Sequence, residues 1–107
     1  MKNIRNLTPH AINIILDDGN AITIEPEGII ARVSVSTASE GSINGIPITV
    51  SVFGEVENLP DSNDTDIFIV SSIVASRVPD RRDIFIPNES VRDEKGRIIG
   101  CKSLGRI

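Results

Sequence analysis

Residues 12–24 read INIILDDGNAITI, and residues 42–53 read SINGIPITVSVF. In both, apolar side chains recur at alternate positions on either side of a short glycine-containing turn. Alternation with a period of two lines one face of a pleated strand, and such a turn reverses the chain between two strands. The first stretch predicts a hairpin: Ile12, Ile14 and Leu16 lead in, residues 17–20 turn, and Ile22 and Ile24 lead out. The second predicts a hairpin turned at Asn44-Gly45, with Ile46, Ile48, Val50 and Val52 on one face of its outgoing strand.

The apolar composition points the same way. There are 19 Ile and 9 Val against 4 Leu, with three Phe and neither Tyr nor Trp. β-Branched side chains are stiff and suit a pleated surface, whereas Leu is the better helix former. A sheet protein with an aliphatic core is therefore expected.

The remaining segments extend this reading. Pro26 ends the second strand, and EGIIARVSVS (27–36) starts a third with Val33 and Val35 in phase. GEVENLPDSNDTD (54–66) is polar and acidic and reads as loop. DIFIV (66–70) is a short apolar run of the kind buried on both faces. In SSIVASRVP (71–79), Ser71 or Ser72 can cap a two-turn helix that buries Ile73, Val74 and Ala75 and ends at Pro79. DIFIP (83–87) reads as a strand and Asn88–Val91 as a connection. VRDEKGRIIGCKSL (91–104) reads as a closing hairpin turned at Glu94-Lys95-Gly96. The expected fold is all-β or mostly β: one small compact domain over residues 1–107, with seven or eight short antiparallel strands and one short helix near 71–78. A chain of 107 residues has no room for a second core.

Several function classes are disfavoured at this level. No apolar run reaches the roughly 18 residues of a membrane span, and the N-terminal stretch lacks the apolar region and cleavage site of a secretory leader. Neither membrane association nor a leader is expected. The single cysteine, Cys101, cannot close an internal disulfide, which predicts a reduced, cytoplasmic setting. The net charge is −4, and without Tyr or Trp the usual platforms for stacking bases are missing. Duplex nucleic acid is not an expected partner.

No catalytic or metal constellation is evident. His10 is the only histidine and follows Pro9 at the start of a strand, where a structural role is commoner than general-base catalysis. His10 and Cys101 lie 91 positions apart and form no metal-ligand pair. PDSNDTD (60–66) superficially resembles a calcium loop but lacks the glycine and terminal glutamate that such a loop needs. Nothing near Cys101 would lower its thiol pKa, and Ser71 and Ser72 lack a nucleophile elbow. GSING and GRIIG do not match either phosphate-cradling loop. No cofactor, metal site or catalytic residue is expected, and the chain is read as a non-enzyme. A phosphodiesterase is opposed by the missing metal site and the lone histidine.

The arginines are the exception. Five of the chain's eight fall within RVPDRRDIFIPNESVRDEKGR (77–97). Residues 1–76 carry three basic and ten acidic side chains, a net −7, whereas residues 77–107 carry eight basic and five acidic, a net +3. Two readings stand. In one, Arg81, Arg82 and Arg92 pair on the surface with Asp80, Asp83, Asp93 and Glu94, each pair contributing about 0–1 kcal/mol. In the other, some of these arginines converge with Arg32 on a phosphate, for which the planar guanidinium fork is suited. Arg32 interrupts an apolar strand, which places its charge at a cleft or an interface, and Asn88 can read a base edge.

The chain also resembles a family of small proteins encoded in phages and prophages, mostly of Gram-positive bacteria. The resemblance rests on NLTPH (6–10), EGIIARV (27–33), NGIPITVSVFGEVENLP (44–60), IVSSIVA (69–75) and RDIFIPNESVRDEKGRIIGCKSL (82–104). It covers most of the chain and carries no catalytic signature. In size and β-richness the chain is further similar to phage sponges that disable bacterial immunity, such as the anti-Thoeris family. The resemblance implies a homo-oligomer in the host bacterial cytoplasm that binds a cyclic nucleotide or cyclic ADP-ribose-type signal and releases it unaltered. Arg32, Arg81, Arg82 and Arg92 would then hold phosphates, Asn88 a base edge, and Phe85 a stacked ring. The lack of Tyr and Trp departs from such sites and leaves stacking to a Phe or an arginine plane. The alternative is a phage structural module or a binder of a host protein, with no small-molecule ligand.

Overall fold

Short aliphatic strands need non-local partners, and the computed structural model, which describes residues 2–107, shows where they find them. The strands are β1 (Asn3–Asn6), β2 (Ile12–Ile15), β3 (Ala21–Ile24), β4 (Arg32–Ile43), β5 (Ile46–Glu57), β6 (Asp66–Ile69), β7 (Ile84–Arg92) and β8 (Ile98–Gly105), with one helix, α1 (Ser72–Ser76). The protein is mostly β, with 55% strand and 5% helix. Six strands form one sheet in the order β1-β6-β7-β8-β2-β3, and β4 and β5 form a ribbon of their own.

The sheet is mixed, which departs from the all-antiparallel expectation. β1 pairs with β6, β6 with β7, and β2 with β8 in parallel, while β2·β3 and β7·β8 are antiparallel hairpins. The cause lies in the connections. A parallel pair needs a crossover, and α1 supplies it between β6 and β7. At the β2·β8 contact, Ile14 faces Cys101, and a Cβ on Gly100 would come within 2.7 Å of the Asn13 carbonyl oxygen. Glycine at position 100 is what lets these two backbones approach.

Burial follows the apolar pattern. β6 is buried on both faces: Phe68 and Val70 pack with Leu7, Val74, Ala75 and Ile84, while Ile69 packs with Ile12, Ile14 and Cys101. Ser71 is the N-cap of α1, its hydroxyl accepting from the Val74 amide at 3.4 Å. The helix is shorter than expected and ends before Pro79 is reached. It buries Val74 and Ala75 but leaves Ile73 exposed. β7 also runs through Asn88–Val91, a stretch read from sequence as a connection. Glu89 takes a left-handed φ of 58° there, so turn-like residues are kept within the ladder. Likewise, residues 54–57, expected as loop, continue β5.

The strands β4 and β5 are each 12 residues long and form an arm. Asn44 and Gly45, with φ of 51° and 79°, make the tight turn anticipated from Asn-Gly. Only Val33 and Val56, at the root, pack against the core. The radius of gyration is 17.0 Å, against about 13 Å for a compact chain of this length. The expectation of a compact shape is corrected by this arm, whose exposed aliphatics cannot be drawn into a body that already closes around Phe68.

Among the described residues one polar side chain is fully buried, that of Asn6. Its Nδ2 donates to the carbonyls of His10 and Ile24 at 2.9 and 3.0 Å, and its Oδ1 accepts from the amide and hydroxyl of Thr8. Asn6→Ala would leave two carbonyls and an amide without these partners. The variant is expected to lose about 2–4 kcal/mol of stability, measured by urea unfolding. A loss under about 0.5 kcal/mol would show that water replaces the amide freely.

Candidate functional site

The structure sorts the arginines into separate surroundings. Arg81 is held on three sides: its Nε and Nη2 donate to Asp83 at 3.1 and 2.7 Å, and its Nη1 donates to the Pro60 carbonyl at 2.9 Å. Its guanidinium also lies 5.7 Å from the centroid of the Phe68 ring. This two-toothed pair ties the 60–63 loop to the entry of β7, and Ser62 donates to Asp83 as well. The hydrogen bonds from Arg81 hold the Asp83 carboxyl below its ordinary value, with Ser62 adding to the effect and burial opposing it.

Arg32 sits at the root of the arm and pairs with Glu57 across the β4·β5 ladder at 3.1 Å, both side chains being largely exposed. Arg92 donates to the Gly96 carbonyl at 2.7 Å and closes the β7–β8 turn, where Arg97 pairs with Asp93. The amides of Arg97 and Lys95 hold the Asp93 carboxyl below its ordinary value. Asn88 packs against Gly105 on the neighbouring strand. Arg32, Arg82 and Arg92 border three different cavities, so the expected convergence of Arg32 and Arg92 with the others does not occur. Arg32 and Arg81 are paired with carboxylates, whereas Arg92 donates to a carbonyl and, among the described residues, has no carboxylate within ion-pair distance.

Arg82 and Phe85 are brought together, with a third residue that sequence reasoning missed. The β7·β8 register pairs Ile86 with Gly105, which puts Arg106 beside Phe85. The Arg106 guanidinium lies over the Phe85 ring, 4.7 Å from its centroid, and its Nη2 donates to the Arg82 carbonyl at 3.3 Å. Among the described residues, neither Arg82 nor Arg106 has a carboxylate within ion-pair distance. Both border a cleft of about 50 Å³ floored by Ala75, Val78 and Ile84. That is room for a few waters or one phosphate-sized group. Counting outward from the turn at 94–96 would bring Gly105 opposite Phe85; the bulge between Val91 and Arg92 shifts the register by one residue and brings Arg106 there instead, which no local sequence signal announces.

The other candidates fall elsewhere. His10 and Cys101 border a groove of about 380 Å³ with Ser90, Pro87, Ile98 and Ile99. Cys101 is buried, and no side-chain hydrogen bond joins it to His10 among the described residues. In the acidic loop, Asn63 accepts from the amides of Thr65 and Asp66, and Asp66 accepts from Asn3 and Asn63. The hydrogen bonds from Asn3 and Asn63, with the Arg5 charge, keep the Asp66 carboxyl below its ordinary value against the opposing effect of desolvation. Among the described residues, no three His, Cys, Asp or Glu side chains are placed to hold a metal ion, and no helix is long and apolar enough to cross a membrane.

Comparison with family models, with curated proteins and with solved structures finds no match to this chain.

Asp83 supplies a pH test of the Arg81 bridge. Its folded pKa lies below the unfolded one, so the stabilisation is present above the unfolded value and is lost as pH falls through the folded value. Asp83→Asn should therefore lower stability at pH 7 and flatten the fall as pH drops below about 4. Urea midpoints measured across that range check this. An unchanged slope would remove Asp83 from the acid response.

Proposed function

We propose that this protein is a non-catalytic binder of a small anionic ligand, a cyclic nucleotide or cyclic ADP-ribose-type signal, which it sequesters intact as a phage countermeasure to host immunity. The observation that carries the reading is the pair Arg82 and Arg106. Two guanidinium groups without acidic partners meet at one cleft, beside the ring of Phe85. An unneutralised pair at a concave site attracts an anion even in a protein of net negative charge. The cleft takes a phosphate-sized group, and the rest of the ligand lies over the rim formed by Pro79 and Arg106. The phage setting and the class of signal rest on the family resemblance alone.

The arm favours a second reading, an interaction module of a phage particle or a binder of a host protein. Its exposed aliphatic strands suit assembly as well as they suit anything else.

A capture-and-release assay separates these readings. Purified protein is mixed with a panel of cyclic nucleotides and cyclic ADP-ribose derivatives, filtered, then heated, and both fractions are analysed by mass spectrometry. The expected result is depletion of one ligand from the filtrate and its return at unchanged mass. Arg82→Ala and Arg106→Ala should each weaken capture about 10- to 100-fold, the worth of a charge-assisted hydrogen bond, while Arg92→Ala leaves it intact. Return at altered mass would make the protein an enzyme. No depletion, with a host or virion protein retained instead, would establish the second reading.

A further inference from the structure

Each of the three Phe rings in this chain has a guanidinium against it. Arg77 lies 5.7 Å from the centroid of Phe53 and Arg106 lies 4.7 Å from that of Phe85. Arg5 and Arg81 lie 5.4 and 5.7 Å from the centroid of Phe68, which is fully buried besides. The chain has no Tyr or Trp. Phe85 is half-buried and does not border the Arg82–Arg106 cleft, whereas its neighbour Ile84 does, because successive strand residues point to opposite faces. Phe85 therefore offers the cleft no bare ring on which a base could lie.

The planar surface that the cleft does have is a guanidinium. Of the arginines stacked on a ring, Arg5 and Arg81 are tied to carboxylates. Arg77 does not border the cleft. Arg106 combines a ring behind it, a place on the cleft and, among the described residues, no carboxylate within ion-pair distance. We infer that Arg106 is the stacking platform of the cleft. Phe85 backs one face of its guanidinium, the other face takes the heterocyclic base of a nucleotide, and its edge shares the phosphate with Arg82. This deepens the anion-binding reading and rests on it.

The edge and the face of a guanidinium act separately. Its N–H groups lie in the plane and bind phosphate oxygens, while its delocalised faces stack on aromatic rings. Arg106 donates from Nη2 to the Arg82 carbonyl at 3.3 Å, and among the described residues the rest of its edge is free. That bond and the Phe85 ring hold a long, exposed side chain in one orientation, which removes part of the ordering cost of binding. The cleft, at about 50 Å³, admits one phosphate-sized group and no base. A base attached to that phosphate lies outside, at the exposed side of Arg106. The ligand class is thus a nucleotide that enters phosphate first, and a sugar phosphate without a base would engage the edge alone.

The test titrates the whole, isotope-labelled chain with adenosine 5′-monophosphate and, separately, with ribose 5-phosphate, and follows the Arg82 and Arg106 side-chain signals by NMR. Both probes should perturb both arginines, and the nucleotide should bind about 5- to 150-fold more tightly, the contribution of one stacked base. The ring current of adenine should move the Arg106 side-chain protons upfield, and ribose 5-phosphate should not. Arg106→Lys keeps the charge but loses the plane, so it should bind the two probes alike. Phe85 acts through Arg106 as a positioning residue. Phe85→Leu should therefore cut the preference for the nucleotide while leaving ribose 5-phosphate binding unchanged, and Phe85→Tyr should keep that preference. Circular dichroism should show all three variants folded. Equal affinity of the wild type for the two probes overturns the inference and leaves the anion cleft standing. A preference for the nucleotide that survives Arg106→Lys does the same. If neither probe perturbs Arg82 or Arg106, the anion-binding reading fails and the inference falls with it.

Discussion

The buried amide of Asn6 fixes how the N-terminal third of the chain meets the rest. With its four hydrogen bonds it joins the end of β1, the 8–10 bend and the end of β3. The backbone on either side completes the junction. Leu7 donates to Ile69, Glu27 donates to the Asn6 carbonyl, and Ala31 donates to the Leu7 carbonyl. The first of these bonds continues the parallel pairing with β6, and the last sets the point from which the arm departs. Leu7 itself is fully buried against Phe68. A short strand such as β1 contributes little area of its own. Its place depends on this polar junction, because an unpaired amide at the same depth would cost several hydrogen bonds at once.

The arginine-rich segment resolves into two populations by the same logic of satisfaction. Asp83 and the Pro60 carbonyl occupy Arg81, the Gly96 carbonyl occupies Arg92, and Asp93 occupies Arg97. These contacts fasten loops and turns, and interleaved acids pair with two of the five clustered arginines, Arg81 and Arg97. Among the described residues Arg77, Arg82, Arg92 and Arg106 have no carboxylate within ion-pair distance, and of these Arg82 and Arg106 share a cleft, with Arg106 over Phe85 where β7 begins and β8 ends. Self-pairing accounts for Arg81 with Asp83, and the anion-pocket reading is proposed for Arg82 with Arg106.

Elements governed by local pattern were legible. All three anticipated hairpins formed around their glycine-containing turns, and Ser71 capped the helix as its position before Ile73 and Val74 suggested. Non-local features were not. The parallel pairings of β1 with β6 and β2 with β8 join segments more than 60 positions apart, and alternation records which face is apolar but not which strand lies alongside. Asn88–Val91 reads as a turn because Asn, Glu and Ser favour one, and the left-handed φ of Glu89 shows that this preference survives inside the strand. At the cleft, Arg82 and Phe85 were visible in the clustered charge. Arg106 lies outside the cluster in sequence and enters only through register.

The arm and the cleft meet at α1. Arg77, the C-cap of the helix, lies 5.7 Å from the centroid of Phe53 on β5, and Val78 and Pro79, which follow it, border the cleft. Beyond this root the arm adds nothing to the core, since only Val33 and Val56 pack there. Aliphatic side chains at the tip thus cannot be explained by the stability of the single chain. In a monomer they would only favour aggregation, as exposed ribbons with open edges do.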